Sequence, residues 1–153
     1  MAKTLIAYFS WSGKTKALAR AVAVKCGADL FEIRTIKEYS RLYVLAVAQA
    51  KLEHVKNEHP AIFGKPVGFA AYDKILLGFP IWWFTCPNVI LSFLEQNDCT
   101  GKVVIPFCTY GSSGKGSCEK DMAAVAPGVN IEPCVEATAL KDNAVKVLAE
   151  LAK

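Results

Sequence analysis

The chain has 153 residues, 53% of them hydrophobic and 21% charged, a balance that fits one compact globular domain and excludes collagen-like and disordered chains. Its formal charge of +4 is uneven, with twelve basic against six acidic groups in residues 1–76 and six against eight in residues 77–153. Only three of the basic residues are arginines and the lysines are scattered, which argues against a nucleic-acid surface and for small anionic ligands.

Lys3 to Phe9 reads as a buried strand rich in Leu, Ile and aromatic residues. It is too short for a secretory leader and has no small-residue cleavage site, so a cytoplasmic location is expected. A loop, Ser10-Trp11-Ser12-Gly13, follows, and then Ala17, Leu18, Ala21 and Val22 recur at helical spacing over Lys14 to Cys26, with Gly27 as the cap. Asp29 to Ile36 predicts a strand and Ser40 to Asn57 a helix. Because that helix carries Val44 and Val47 beyond a face of Leu42, Leu45, Leu52 and Val55, it is expected to be buried on more than one side, in a deeper core rather than a dimer contact.

Glu58 to Ala71, with Pro60, Gly64, Pro66 and Gly68, is loop chemistry. Lys74 to Phe79 is the third strand; the apolar stretch around it, Ile75 to Phe84, is broken by Gly78 and Pro80 and falls far short of the ~20 residues of a membrane-spanning helix. Asn88 to Gln96 predicts a helix, Lys102 to Cys108 a strand, and Ser117 to Ala126 a helix stopped by Pro127-Gly128. Asn130 to Val135 predicts the last strand and Asp142 to Ala152 the last helix. Pro106 removes a ladder hydrogen bond from a strand placed centrally, where a bulge is expected.

Strands that read as near-continuous apolar runs and alternate with helices predict an α/β fold in three layers. Right-handed crossovers make it a doubly wound five-stranded parallel sheet, here as a single domain over residues 1–153. The six cysteines contain no C-x-x-C, and a domain that buries roughly 68–70% of its unfolded surface needs no bridges, so they are read as reduced thiols. His54 and His59 stand about 140° apart on a helix without a completing cluster, so no metal site is expected.

In such a sheet ligands bind beyond the carboxyl ends of the strands, where the winding reverses. Three loops follow the relevant strands: Ser10 to Thr15, Pro80 to Pro87 and Thr109 to Gly116. The first gathers Ser10, Ser12, Gly13 and Thr15 at a helix start, where free N–H groups and the positive dipole end favour a phosphate, with Lys14 or Lys16 adding charge. One glycine is too few for a dinucleotide fingerprint. Gly13-Lys14-Thr15 ends like a Walker A loop, but Tyr8 stands at its first glycine and no acidic residue closes the third strand to hold magnesium. The absent carboxylate also argues against a phospho-receiver, and the lack of a thiol in the first loop argues against a cysteine phosphatase.

All three tryptophans, Trp11, Trp82 and Trp83, fall in the first two loops, and Tyr110 in the third. An aromatic face offers contact area to a planar heterocycle such as a flavin, with one of Trp82 and Trp83 packing inward instead. The polar, glycine-rich run Thr109-Tyr110-Gly111-Ser112-Ser113-Gly114 suits backbone contact with the polar edge of such a ring.

Three segments carry a resemblance: Ser10-Trp11-Ser12-Gly13-Lys14-Thr15, Gly78-Phe79-Pro80-Ile81-Trp82-Trp83 and Pro106-Phe107-Cys108-Thr109-Tyr110-Gly111. They look like the flavin-binding segments of short-chain flavodoxin-like proteins. The resemblance implies strand order 2-1-3-4-5 and non-covalently held FMN, its phosphate on the first loop and its ring between the second and third. The implied contacts are Ser10, Trp11, Ser12, Gly13, Lys14, Thr15, Pro80, Ile81, Trp82, Trp83, Thr109, Tyr110, Gly111 and Gly114. Lys14 stands where such proteins often have Asn, Phe84 where a small residue is common, and Tyr110 in place of a frequent His.

The implied role is electron transfer, with the cofactor supplying the chemistry and no catalytic side chain required. The chain would act as a carrier between partner proteins, or as a reductase taking hydride from NAD(P)H and reducing a quinone or similar acceptor. Carrier flavodoxins are strongly acidic, which steers them to basic partners, whereas this chain is net basic. Lys115 is read as a solvated charge, and a monomer or homodimer is expected. The alternative is a non-redox nucleotide- or partner-binding domain of the same fold.

Overall fold

The computed structural model describes residues 3–153. A parallel sheet runs in the order β2-β1-β3-β4-β5, as expected. Its strands are β1 (Thr4–Tyr8), β2 (Asp29–Glu32), β3 (Lys74–Pro80) and β4 (Val103–Thr109). The fifth position is shared by two short pieces, β5 (Asn130–Ile131) and β6 (Val135–Glu136), both paired with β4. The helices are α1 (Lys14–Cys26), α2 (Tyr43–Lys56), α3 (Asn88–Gln96), α4 (Cys118–Val125), the one-turn α5 (Ala137–Leu140) and α6 (Ala144–Leu151). None is long and apolar enough to cross a membrane.

Strand alternation builds two cores. Leu5, Ala7 and Phe9 of the β1 segment join Ile75, Leu77 and Phe79 of β3 beneath α2, α3 and α4. Ile6 and Tyr8 join Leu76, Ile105 and Phe107 beneath α1 and α6. Gly78 lies opposite Phe107 in the register, and a Cβ there would stand 2.3 Å from the Phe107 ring. Gly78→Ala is therefore expected to cost about 1–3 kcal/mol through overpacking, read as a lower urea midpoint.

Three expectations change. β2 ends at Glu32 rather than Ile36, leaving only an isolated bridge from Thr35 to Ile62. Pro106 makes no bulge, because β3 and β4 pair one-to-one from Lys74 opposite Val103 to Pro80 opposite Thr109. Val103 donates toward β3, to the Asp73 carbonyl, and the Val104 carbonyl accepts from Glu132, so in this ladder Pro106 points its missing donor toward the fifth position. There the partner strand is simply interrupted, between β5 and β6. Finally, α2 is not buried on several sides. Only Ala46 and Ala50 are buried, while Leu42, Val44, Leu45, Leu52 and Val55 are exposed, because the helix lies peripherally and rests on one narrow side.

Candidate functional site

The Phe9 N–H donates to the Gly78 carbonyl at 2.9 Å, bringing the first loop over the carboxyl end of the sheet. Gly13 is left-handed at φ 96°, and its N–H donates to Ser10 Oγ at 3.1 Å. Helix α1 has no side-chain cap, so the N–H groups of Thr15 and Lys16 stand at its positive end without an acceptor among the described residues. Thr15 is buried, its hydroxyl 2.9 Å from that of Thr109, which ties the first loop to the end of β4. Lys16 pairs with Glu32 at 3.2 Å, as does Arg34. Burial pushes the Glu32 carboxyl up, but the hydrogen bonds from Arg34 and Lys16 outweigh it and hold the group below its ordinary range. Lys14, exposed and without an ion pair among the described residues, is the charge left at the cradle.

In the second loop, Ile81 donates to the Thr109 carbonyl at 2.8 Å, so the ends of β3 and β4 are joined. Trp82 and Thr85 exchange backbone hydrogen bonds of 3.0 and 3.4 Å, closing a turn whose two central residues, Trp83 (φ 57°) and Phe84 (φ 63°), are both left-handed. That geometry ordinarily calls for Asn or Gly. It is held from three sides. The Phe84 carbonyl accepts from Ser117 N–H at 2.9 Å, the Trp83 indole donates to the Val47 carbonyl at 2.7 Å, and the Thr85 hydroxyl donates to the Asp121 carboxylate. Gly116 permits the first of these, since a Cβ there would lie 1.7 Å from the Phe84 carbonyl oxygen. Backbone strain of this kind costs on the order of 1–3 kcal/mol per residue and persists only where the surroundings over-determine it.

The two tryptophans divide their roles. Trp82 is 6% exposed and meets Phe9 and Tyr39 edge-on at 5.8 and 5.4 Å, whereas Trp83 is 42% exposed. Trp11 docks its indole N–H on the Ser40 carbonyl at 2.8 Å and its ring edge-on against Tyr43.

The third loop hangs from two carboxylates and a hydroxyl. Tyr110 N–H donates to Thr138 Oγ1 at 3.0 Å and Lys115 N–H to Glu136 Oε1 at 3.0 Å. The Lys115 ammonium is not simply solvated: it lies 3.0 Å from Glu119, whose hydrogen bond raises its pKa, and Glu119 also accepts from Cys134 N–H. All six cysteines are free thiols, and burial drives that of Cys86 well above its ordinary range. Among the described residues no group of His, Cys, Asp and Glu is placed to hold a metal.

A cleft of about 920 Å³ opens on the β2 side of the first loop. It takes Ser10, Trp11 and Ser12 from the expected set, but nothing from the second and third loops, whose residues converge on the other side of the first. Besides Phe9, Glu32 and Phe63, its wall is the segment after β2, including Arg34, Tyr39 and Arg41, which the sequence reading missed by running a strand to Ile36 and starting a helix at Ser40. The signal was there: Arg34, Lys37, Glu38 and Arg41 within eight residues are more charge than a buried strand entering a helix carries.

An uncapped helix start, an aromatic turn under strain and a suspended polar loop all stand at the carboxyl ends of β1, β3 and β4 of a doubly wound α/β protein, the place where such sheets offer a candidate ligand site. The family model described as Flavodoxin matches residues 3–149, and the chain belongs to the flavodoxin family. Among solved structures it is similar to a candidate flavoprotein of Bacteroides uniformis, with 34% identity over 97% of this chain and 98% of that one and a TM-score of 0.85. A candidate flavoprotein of Bacteroides eggerthii is 27% identical over 99% and 98%, with a TM-score of 0.86. A flavoprotein of Lactobacillus acidophilus in complex with FMN is 24% identical over 94% and 98%, with a TM-score of 0.80.

Proposed function

We propose that the chain is an FMN-binding redox flavoprotein, and that it works as an NAD(P)H-dependent reductase of quinones or similar acceptors. The observation that carries the binding site is the strained Trp83-Phe84 turn, clamped to the third loop beside an uncapped helix start. An exposed flat ring and an anion cradle on adjoining loops are what a mononucleotide with a large planar base requires. The Lactobacillus acidophilus relative, which holds FMN on the same fold, supports the choice of ligand.

Ser10, Ser12, Gly13 and Thr15, with Lys14, take the phosphate through N–H groups, hydroxyls and charge. Trp11 and Trp83 shield the ring, Trp82 serves as the buried pillar under the turn, and Pro80, Ile81, Thr109, Tyr110, Gly111 and Gly114 supply the backbone that meets its polar edge. Bound FMN supplies one- and two-electron transfer. The chain's own residues bind, orient and exclude water, and none need move a proton. The net charge of +4 is opposite to that of carriers steered by acidic surfaces, which favours a small anionic donor such as NAD(P)H over a basic protein partner.

The test is a visible spectrum of the protein after FMN addition and desalting, then anaerobic titration with NADPH. Retained two-band flavin absorption that NADPH bleaches is the expected result. Retained colour without bleaching would leave a carrier with a separate reductase, and a colourless protein would leave a non-redox binding domain.

A further inference from the structure

Helix α2 is attached by one narrow side, Ala46 and Ala50 with half-buried Glu53. On the opposite side Leu45, Ala48, Leu52 and Val55 are all exposed, and their spacing of three, four and three residues is that of a helix-pairing seam. Val44 at 74% and Val55 at 68% exposure are far from the burial such residues ordinarily reach. Leu42 extends the patch at its amino-terminal end, and Trp83 borders it through its hydrogen bond to Val47. Five large apolar side chains, Leu42, Val44, Leu45, Leu52 and Val55, each half or more exposed, amount to roughly 550 Å², the greater part of the ~800 Å² that each partner gives a standard interface.

We propose that this face is the interface with a second copy of the chain, the two α2 helices packing antiparallel about a twofold axis. With the axis at the level of Ala50, Ala48 falls opposite the second copy's Leu52, and Leu45 opposite its Val55. Small therefore meets large in the central layers, which lets the helices approach closely. On the flanks Lys51 falls beside the second copy's Val44 and Lys56 beside its Gln49, so no like charges meet. The one acidic side chain within the helix, Glu53, is turned away from the seam and accepts from the Tyr39 hydroxyl at 2.5 Å. A surface that satisfies itself under a twofold rotation is what an isologous contact requires.

The inference does not rest on the flavin reading. It is tested by sedimentation equilibrium of the full chain up to ~100 μM, comparing wild type with Leu52→Glu and Ala48→Arg at the seam and Lys146→Glu on the opposite face of the protein. The expected result is a wild-type dimer that Lys146→Glu preserves, while each seam variant raises the dimer dissociation constant at least ~100-fold, because a charge is buried without a partner. Both seam positions are exposed in the single chain, so circular dichroism should show folded monomers. A wild-type monomer throughout the range, or a dimer that either folded seam variant leaves intact, overturns the proposal. A dimer that stays colourless with FMN would refute the flavin reading and leave this one standing.

Discussion

Trp82→Ala is expected to lower stability by about 3–5 kcal/mol while Trp83→Ala lowers it by no more than about 1 kcal/mol. The adjacent residues differ because Trp82 fills the space between Phe9 and Tyr39 in the core, whereas Trp83 lies on the surface with one hydrogen bond and Lys51 4.8 Å above its ring. FMN binding should respond in the opposite sense. Losing the exposed ring should weaken it at least ~10-fold, as expected when a stacked aromatic contact is removed. Urea unfolding of the apoprotein and quenching of FMN fluorescence on titration measure the two effects separately. A stable Trp82→Ala variant that binds no FMN, beside a Trp83→Ala variant that binds normally, would reverse the assignment.

Gly116→Ala should be nearly as damaging, at about 3 kcal/mol, although it adds only a methyl group at an exposed position. The methyl would enter the space of the Phe84 carbonyl oxygen, so the Ser117 hydrogen bond must break and the strained turn loses one of its three restraints. Gly128→Ala is the control. Gly128 is also left-handed, at φ 82°, but nothing lies within 4 Å of its Cβ, so only the backbone preference of about 1 kcal/mol is lost. Equal melting temperatures for the two variants would show that close approach contributes nothing at Gly116.

The order of elements and the identity of the three loops were legible because apolar runs, glycines and prolines act locally. Gly27 caps α1 through a left-handed φ that its own lack of a side chain permits, and no distant residue is needed to make it do so. Burial is different in kind. The periodicity of α2 shows which of its residues share a face, but what covers that face depends on where the crossover from β2 lands, and it lands at the edge of the molecule. The division between Trp82 and Trp83 was hidden for a similar reason. It depends on Phe9 and Tyr39, residues distant in sequence that meet only once the sheet has formed. The cleft beside the first loop was missed because β2 stops early, at a point that no glycine or proline marks.

The interruption of the fifth strand has a bearing on how the protein behaves in a crowd. An outer strand with an unbroken row of free donors and acceptors is a template on which another chain can extend the sheet. Here that border consists of two stretches of two residues each, separated by Glu132, Pro133 and Cys134, and Pro106 supplies no donor to bridge the gap from within. Neither stretch is long enough to register a foreign strand, so this flank resists the edge-to-edge growth that leads to insoluble aggregates.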